Sequence, residues 1–350
     1  MSIEPVRYGV VGLGRSGWNI HVKNLRPRDD AKIVAVSDPL EERRQEAADE
    51  FGCETYESID EMLKQDDIEV AVIATTSVLH GPDTLKTFAA GKNVVVEKPM
   101  AMTVAEADQM IAASKETGLK LFVHQNWRFN RVFTHLKDVA ESGKIGRLYH
   151  VRNYSSGFAR RDDWQTLAKN GGGVLNNTCP HFLDMLIQLA GGSIKNVMGD
   201  LQQIASAGDV EDHVKAFLRS ENGCTVDMET SSAQNVAATL PSWILCGSSG
   251  TLTSDGKQST IRWFDPDEAG PIEARDIAAV GRKYGSESKP LDWHEETVEA
   301  QGPDIGDFYD NVTGVMRREE EMIVTPESVR EVIRVMTEIR NGTDFPGFTG

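Results

Sequence analysis

The chain has 350 residues, 39% hydrophobic and 26% charged, values of a globular protein with room for two cores. A formal net charge of −17 repels phosphate backbones and anionic lipid, which excludes nucleic acid and membrane surfaces as general partners. No run approaches the ~18 apolar residues that span a bilayer, and the four cysteines (Cys53, Cys179, Cys224, Cys246) form no CxxC pair, as reduced thiols would not.

In chain order, the opening MSIEPVRYGVVGLG has no basic segment ahead of an apolar run, so no signal peptide is expected and the expected compartment is the cytoplasm. Short β-rich runs then alternate with amphipathic ones. Strands are predicted at 6–11, 31–38, 69–75, 93–99 and 119–125. Helices are predicted at 40–52, 81–92 and 103–118, the last opened by Thr103 and Glu106 as a capping box. Such alternation predicts a parallel, doubly wound α/β sheet of Rossmann type, residues 1–125. A helix follows at 131–142. The texture then changes to longer period-2 runs within 147–265, with a hairpin turn at 221–224, which predict an α+β domain over 126–350 with a large, mainly antiparallel open sheet. Residues 266–290 read as loop. Helices at 303–318 and 326–340 close the chain, and the last is expected to pack back on the first domain.

The clearest motif is VVGLGRSG. Gly12, Gly14 and Gly17 form G-x-G-x-x-G between a predicted strand and a helix, the context that makes it a dinucleotide-binding turn. Arg15 and Ser16 lie within it. Asp38 ends the second strand, where a carboxylate accepts from the adenosine ribose and repels a 2′-phosphate. NAD is therefore expected over NADP, although Arg43 and Arg44 follow closely. Lys98, in VVVEKPM, ends a strand and points toward the cofactor cleft, where an ammonium can hold a hydroxyl; alone, such a lysine is more often a solvated one. In GGGVLNNTCPH the glycines and asparagines predict a deformable loop that delivers His181 to a helix start. A neutral imidazole there suits a general base. Capping and buried structural roles compete with it, and pairing with Asp184 offers too few ligands for a metal, so no metal is expected. Arg160, Arg161, Asp162, Asp163 and Trp164 form a polar loop that either recognises substrate, with Trp164 stacking on a sugar face, or is solvated.

Taken together, GVVGLGRSG, EKPMAMTVAEA and GGGVLNNTCPHFLD resemble the Gfo/Idh/MocA dehydrogenases, with weaker support from TTSVLH and NWRFN. The resemblance implies that Lys98 is the catalytic lysine and His181 the acid/base. It implies that Thr75, Thr76, His80 and Glu97 line the cofactor cleft. Arg128, Arg160, Trp164, Asn177, His181, Asp184 and Lys98 become the substrate-binding candidates. The family often has Asp four residues before the histidine; this chain has Asn177, a neutral group that both donates and accepts. Expected from the resemblance is an NAD(H)-dependent oxidoreductase acting on a hydroxyl-bearing carbon of a sugar, polyol or sugar acid, as a homodimer or homotetramer through the second-domain sheet. An NAD-dependent glycoside hydrolase using transient oxidation and a non-catalytic NAD-binding regulator are the alternatives.

Overall fold

The structure is a computed structural model that describes residues 4–236, 240–274, 276, 290–302 and 305–345. Its first sheet has six strands: β1 (Val6–Val11), β2 (Ala31–Ser37), β3 (Glu54–Tyr56), β4 (Val70–Ile73), β5 (Asn93–Val96) and β6 (Leu121–Val123). All pairings are parallel, in the order β3-β2-β1-β4-β5-β6. The continuous valine runs follow from this arrangement. A parallel strand flanked by helices is buried on both faces, and every residue of β4 is buried. The order reverses between β1 and β4, and ligands bind outside the carboxyl ends of strands at that point.

The helices keep their expected caps. Thr103 accepts from the backbone N–H of Glu106 at the start of Val104–Thr117, and Gly52 and Gly118 close two helices in the left-handed conformation. Two things differ from expectation. Edge strand β3 is too short and too exposed to show a period. The helix after the glycine turn is π-helical over Gly17–Val22.

The second sheet has eight strands: β7 (Leu148–Ser156), β8 (Ile194–Gln202), β9 (His213–Ser220), β10 (Thr225–Ser231), β11 (Trp243–Gly247), β12 (Gly250–Ser254), β13 (Gln258–Trp263) and β14 (His294–Glu299). Their order is β14-β13-β12-β11-β7-β10-β9-β8. The sheet is mixed: β7 pairs with β10 in parallel, and the other pairings are antiparallel. The apolar run from 242 to 255 is therefore two strands, and β14 lies beyond the loop expected at 266–290. That expectation falls largely outside the described residues, although Pro266–Ala269 is one helical turn.

One face of this sheet is covered by helices. A Cβ on Gly199 of β8 would meet Ile339 O at 2.6 Å, so glycine lets the helix Pro326–Arg340 lie against the strand. The same helix packs on Val104–Thr117 and on β6, joining both sheets. On the other face Met198 and Phe217 pair across β8 and β9 and are 67% and 43% exposed. No helix among the described residues is long and apolar enough to cross a membrane.

Candidate active site

The turn after β1 has room for a pyrophosphate. Gly12 has φ +86°, and a Cβ on Gly17 would sit 1.8 Å from Gly12 O, so both positions need glycine. A Cβ on Gly14 would meet nothing nearer than Arg43 Nη1 at 3.8 Å, which leaves that backbone open to a ligand. Arg15 is exposed beside this opening, and Ser16 is turned inward, its Oγ donating to Glu97 Oε1 at 3.0 Å.

Asp38 is less free than its position suggests. It is 3% exposed, its Oδ2 takes the Leu13 N–H at 2.8 Å and its Oδ1 the Leu40 N–H at 2.9 Å. Arg43 adds a contact at 3.3 Å. The carboxylate thus ties the glycine turn to the helix Glu41–Phe51, a role the sequence did not announce.

After β4, Thr75 donates to Asp83 Oδ2 at 3.1 Å, and Thr76 is half-buried at the start of the turn Ser77–Leu79. His80 is 2% exposed, and its ring nitrogens lie 2.7 Å from Pro99 O and 3.2 Å from Thr75 O. It joins the loop after β4 to the Lys98–Pro99 turn and presents no free edge to a cofactor. Burial lowers its pKa. Glu97 is likewise buried, with partners on both oxygens.

Lys98 follows β5 of the first sheet and His181 lies on the helix Cys179–Leu189, yet the two are close enough for the lysine's charge to act on the imidazole. Lys98 Nζ donates to the backbone O of Asn177 at 2.9 Å. Burial lowers the Lys98 pKa, with Glu97 opposing and Arg15 adding to the effect. His181 is held well below the usual imidazole range, first by burial and then by the charge of Lys98. Its Nδ1 has no hydrogen-bond partner among the described residues. The indole of Trp127 stacks on its ring, centroids 4.6 Å apart and planes 18° apart, fixing its orientation.

The stretch that delivers His181 is more ordered than a loop. Val174–Asn177 forms one helical turn, and Cys179–Leu189 has already begun at Cys179 with Pro180 in its first turn. The glycines act as packing surfaces: a Cβ on Gly172 would meet Gln165 O at 2.2 Å, and one on Gly173 would meet Glu211 Oε1 at 2.3 Å. Glu211 accepts the Leu175 N–H at 2.9 Å, capping the helical turn with charge. Arg340, from the last helix, reaches Glu211 at 3.4 Å and Asn176 Oδ1 at 3.3 Å. Asn176 in turn donates to Gly172 O at 2.9 Å. Neither Glu211 nor Arg340 carries a local sequence signal.

Below Trp127 lies a cavity of about 370 Å³. Trp127, Asn153, Phe182, Met185, Leu240 and Trp243 contribute to its lining. Asn153 Nδ2 donates to Ser242 O at 3.1 Å, while its buried Oδ1 has no partner among the described residues.

The family model for the oxidoreductase family with an NAD-binding Rossmann fold matches residues 6–125, and the one for the GFO/IDH/MocA C-terminal domain matches residues 133–253. The chain belongs to the Gfo/Idh/MocA oxidoreductases. It is 32% identical over 224 residues to a myo-inositol 2-dehydrogenase of Thermotoga maritima, covering 62% of this chain and 66% of that protein. It is 30% identical over 238 residues to a scyllo-inositol 2-dehydrogenase (NAD(+)) of Bacillus subtilis, covering 65% and 68%. An NAD-binding protein from Listeria innocua superposes with a TM-score of 0.82 at 26% identity, over 98% of each chain.

Within this Gfo/Idh/MocA chain, several expected substrate contacts are turned elsewhere. Arg128 Nε donates to Asp184 Oδ2 at 2.7 Å and its Nη2 to Oδ1; the residues are 7% and 1% exposed. This pair joins the segment Asn126–Phe129 to the helix Cys179–Leu189, and both carboxylate oxygens are held by the guanidinium. Arg160 and Trp164 are exposed, Trp164 by 44%. Asn177 Oδ1 accepts from Gln165 Nε2 at 2.8 Å, and Arg161 Nη2 donates to Gln165. Gln165, Trp127 and Asn153 thus join the site without having been singled out in the sequence.

Proposed function

We propose that this protein oxidises a hydroxyl-bearing carbon of a sugar or polyol, or reduces the matching carbonyl, with NAD(H). The observation that supports the reading is the nearness of Lys98 and His181, the lysine bonded to the backbone of Asn177 and its charge acting on the imidazole. Relatives that act on inositols support the substrate class.

The cofactor would be held by Gly12, Gly14 and Gly17, with Arg15 at the rim. When bound, the nicotinamide supplies the hydride acceptor. His181, kept neutral by burial and by Lys98, takes the hydroxyl proton. Lys98 donates to the hydroxyl oxygen and offsets the negative charge that grows there. Trp127 holds the imidazole plane and also lines the neighbouring cavity. Asn177 keeps Nδ2 as a donor because Gln165 occupies Oδ1. The aromatic walls of the cavity suit the apolar face of a ring. Among the cavity's described lining residues there is no lysine or arginine, which favours a neutral sugar or polyol over a sugar acid.

Asp38 beside the turn disfavours a 2′-phosphate, so NAD is the preferred cofactor. A second copy would cover Met198 and Phe217 on the open sheet face, giving a dimer or tetramer. The test is a panel of sugars and polyols with NAD⁺ or NADP⁺, read by absorbance of reduced nicotinamide. Turnover with a neutral compound that is lost in both Lys98→Met and His181→Gln supports the reading; turnover unaffected by either refutes it.

A further inference from the structure

A buried polar cluster beneath Lys98 is unused by the chemistry above. Glu97 follows β5 and is 4% exposed. Its Oε1 takes Ser16 Oγ at 3.0 Å and His124 Nδ1 at 2.9 Å, with His21 Nε2 also 2.9 Å away though poorly aligned. Its Oε2 takes the backbone N–H of Lys98 at 3.0 Å. A carboxylate offers about four acceptor positions. Ser16 and His124 fill those of Oε1, the backbone of Lys98 takes one on Oε2, and His21 Nε2 stands beside Oε1 out of line.

The cluster has a far anchor. His21 Nδ1 lies 2.6 Å from the Tyr309 hydroxyl, on the helix Phe308–Arg317. Burial pushes the phenol well above its ordinary range, so it keeps its proton and donates to Nδ1. His21 is lowered by burial and by His124, so its ring is neutral and Nε2 carries the hydrogen toward Glu97. Glu97 itself is held well below the usual carboxylate range: burial opposes this, and the two histidines outweigh it. Sequence spacing gives no hint that His21, Glu97 and His124 come together. The fold does so at hydrogen-bond distances around one saturated oxygen.

We propose that Glu97 is a positioning residue that fixes the glycine turn at Ser16 and the backbone of Lys98 to one buried carboxylate, anchored through His21 and Tyr309, without touching the cofactor. The proposal rests on Lys98 being the reacting group. Both loops that frame the opening hang on the same two oxygens, so a shift at one is felt at the other. Within the dry interior such a network is stiffer than its separate bonds. The charged and titratable groups facing Lys98 are Glu97, Arg15, His80 and His181; of these Glu97 alone is negative.

The test uses the full chain and needs no substrate, so it stands apart from the outcome of the dehydrogenase assay. NADH binding is titrated by fluorescence. Lys98 ionisation is followed by NMR of ¹³C-methylated protein, the signal being assigned with Lys98→Arg. Glu97→Gln is expected to weaken NADH about tenfold and to move the Lys98 titration to lower pH. Tyr309→Phe, which removes one hydroxyl, should shift both readouts the same way by less. If Glu97 instead contacts the cofactor, NADH weakens in Glu97→Gln while Lys98 titrates as before and Tyr309→Phe is silent. If the cluster only supports the fold, melting temperature falls with both readouts unchanged. Either result overturns the proposal. Should Glu97→Gln not fold, Tyr309→Phe and His124→Asn are judged by the same two readouts.

Discussion

Lys98 donates its ammonium hydrogen to the backbone carbonyl oxygen of Asn177, 2.9 Å away and 79 positions along the chain. That bond links the strand end carrying the lysine to the helical turn that precedes His181. It uses the main chain of residue 177, so the lysine is held whatever side chain stands there. The family's usual aspartate and this chain's asparagine are therefore both compatible with the frame.

Asn177→Asp is accordingly expected to retain activity and to move its pH dependence. A carboxylate beside His181 favours the imidazolium, opposing Lys98, so the acid limb of the oxidation rate should rise toward the ordinary imidazole value of 6.5. The pH profile of kcat/KM measures it. An unmoved acid limb would place the side chain of residue 177 away from the proton transfer.

Removing either member of the proposed pair should act on chemistry. Loss of one charge-stabilising donor costs about 10²–10³ in kcat, and that is the expected effect of Lys98→Met. His181→Gln should cost about 10²–10⁴. NADH affinity should stay within about threefold for His181→Gln, because the glycine turn does not depend on it. Steady-state kinetics and NADH titration separate the two effects.

Acid sensitivity follows from the buried imidazoles. His21, His80 and His181 all have folded pKa values below the ordinary 6.5. As pH falls through 6.5 the unfolded chain takes up protons that the folded chain refuses, so stability drops with falling pH until the folded values are reached. Each group contributes up to about 1.4 kcal/mol per pH unit in that window. Glu97 has the same sign in a lower window: its contribution is present above the ordinary carboxylate value of 4.5 and is lost progressively as pH falls from there to its depressed folded value. Urea unfolding at pH 7.5 and 5.5 should show the loss, smaller in His181→Gln.

The Arg128–Asp184 pair gives a control. Asp184→Asn leaves a buried guanidinium without its counter-ion, a change that costs about 3–5 kcal/mol. Stability should fall by that order, while kcat of the folded fraction stays within about threefold. A large kcat effect with little loss of stability would return Asp184 to the substrate site.

How much of this was readable beforehand depended on the range of the interaction. The Rossmann half is built from local signals: valine runs for buried parallel strands, glycines where a Cβ would strike Gly12 O or Ala74 O, and threonine caps. Lys98 and His181 stood out as candidates because each sits in a local motif. Asp184 misled because helical spacing places it one turn after His181, yet the partner that claims it, Arg128, is 56 positions away. Glu211, Arg340 and Asn153 were invisible for the same reason. The parallel β7–β10 pairing could not be read from period-2 runs, which give the buried face but not the neighbour.

The most direct test of the account is single-turnover oxidation of a panel of neutral sugars, polyols and sugar acids with NAD⁺, comparing the native chain with Lys98→Met and His181→Gln. Reduced nicotinamide is expected from one neutral compound class in the native chain and almost none in either variant. Equal signal from all three chains would contradict it, as would silence across the panel while NADH binding is intact.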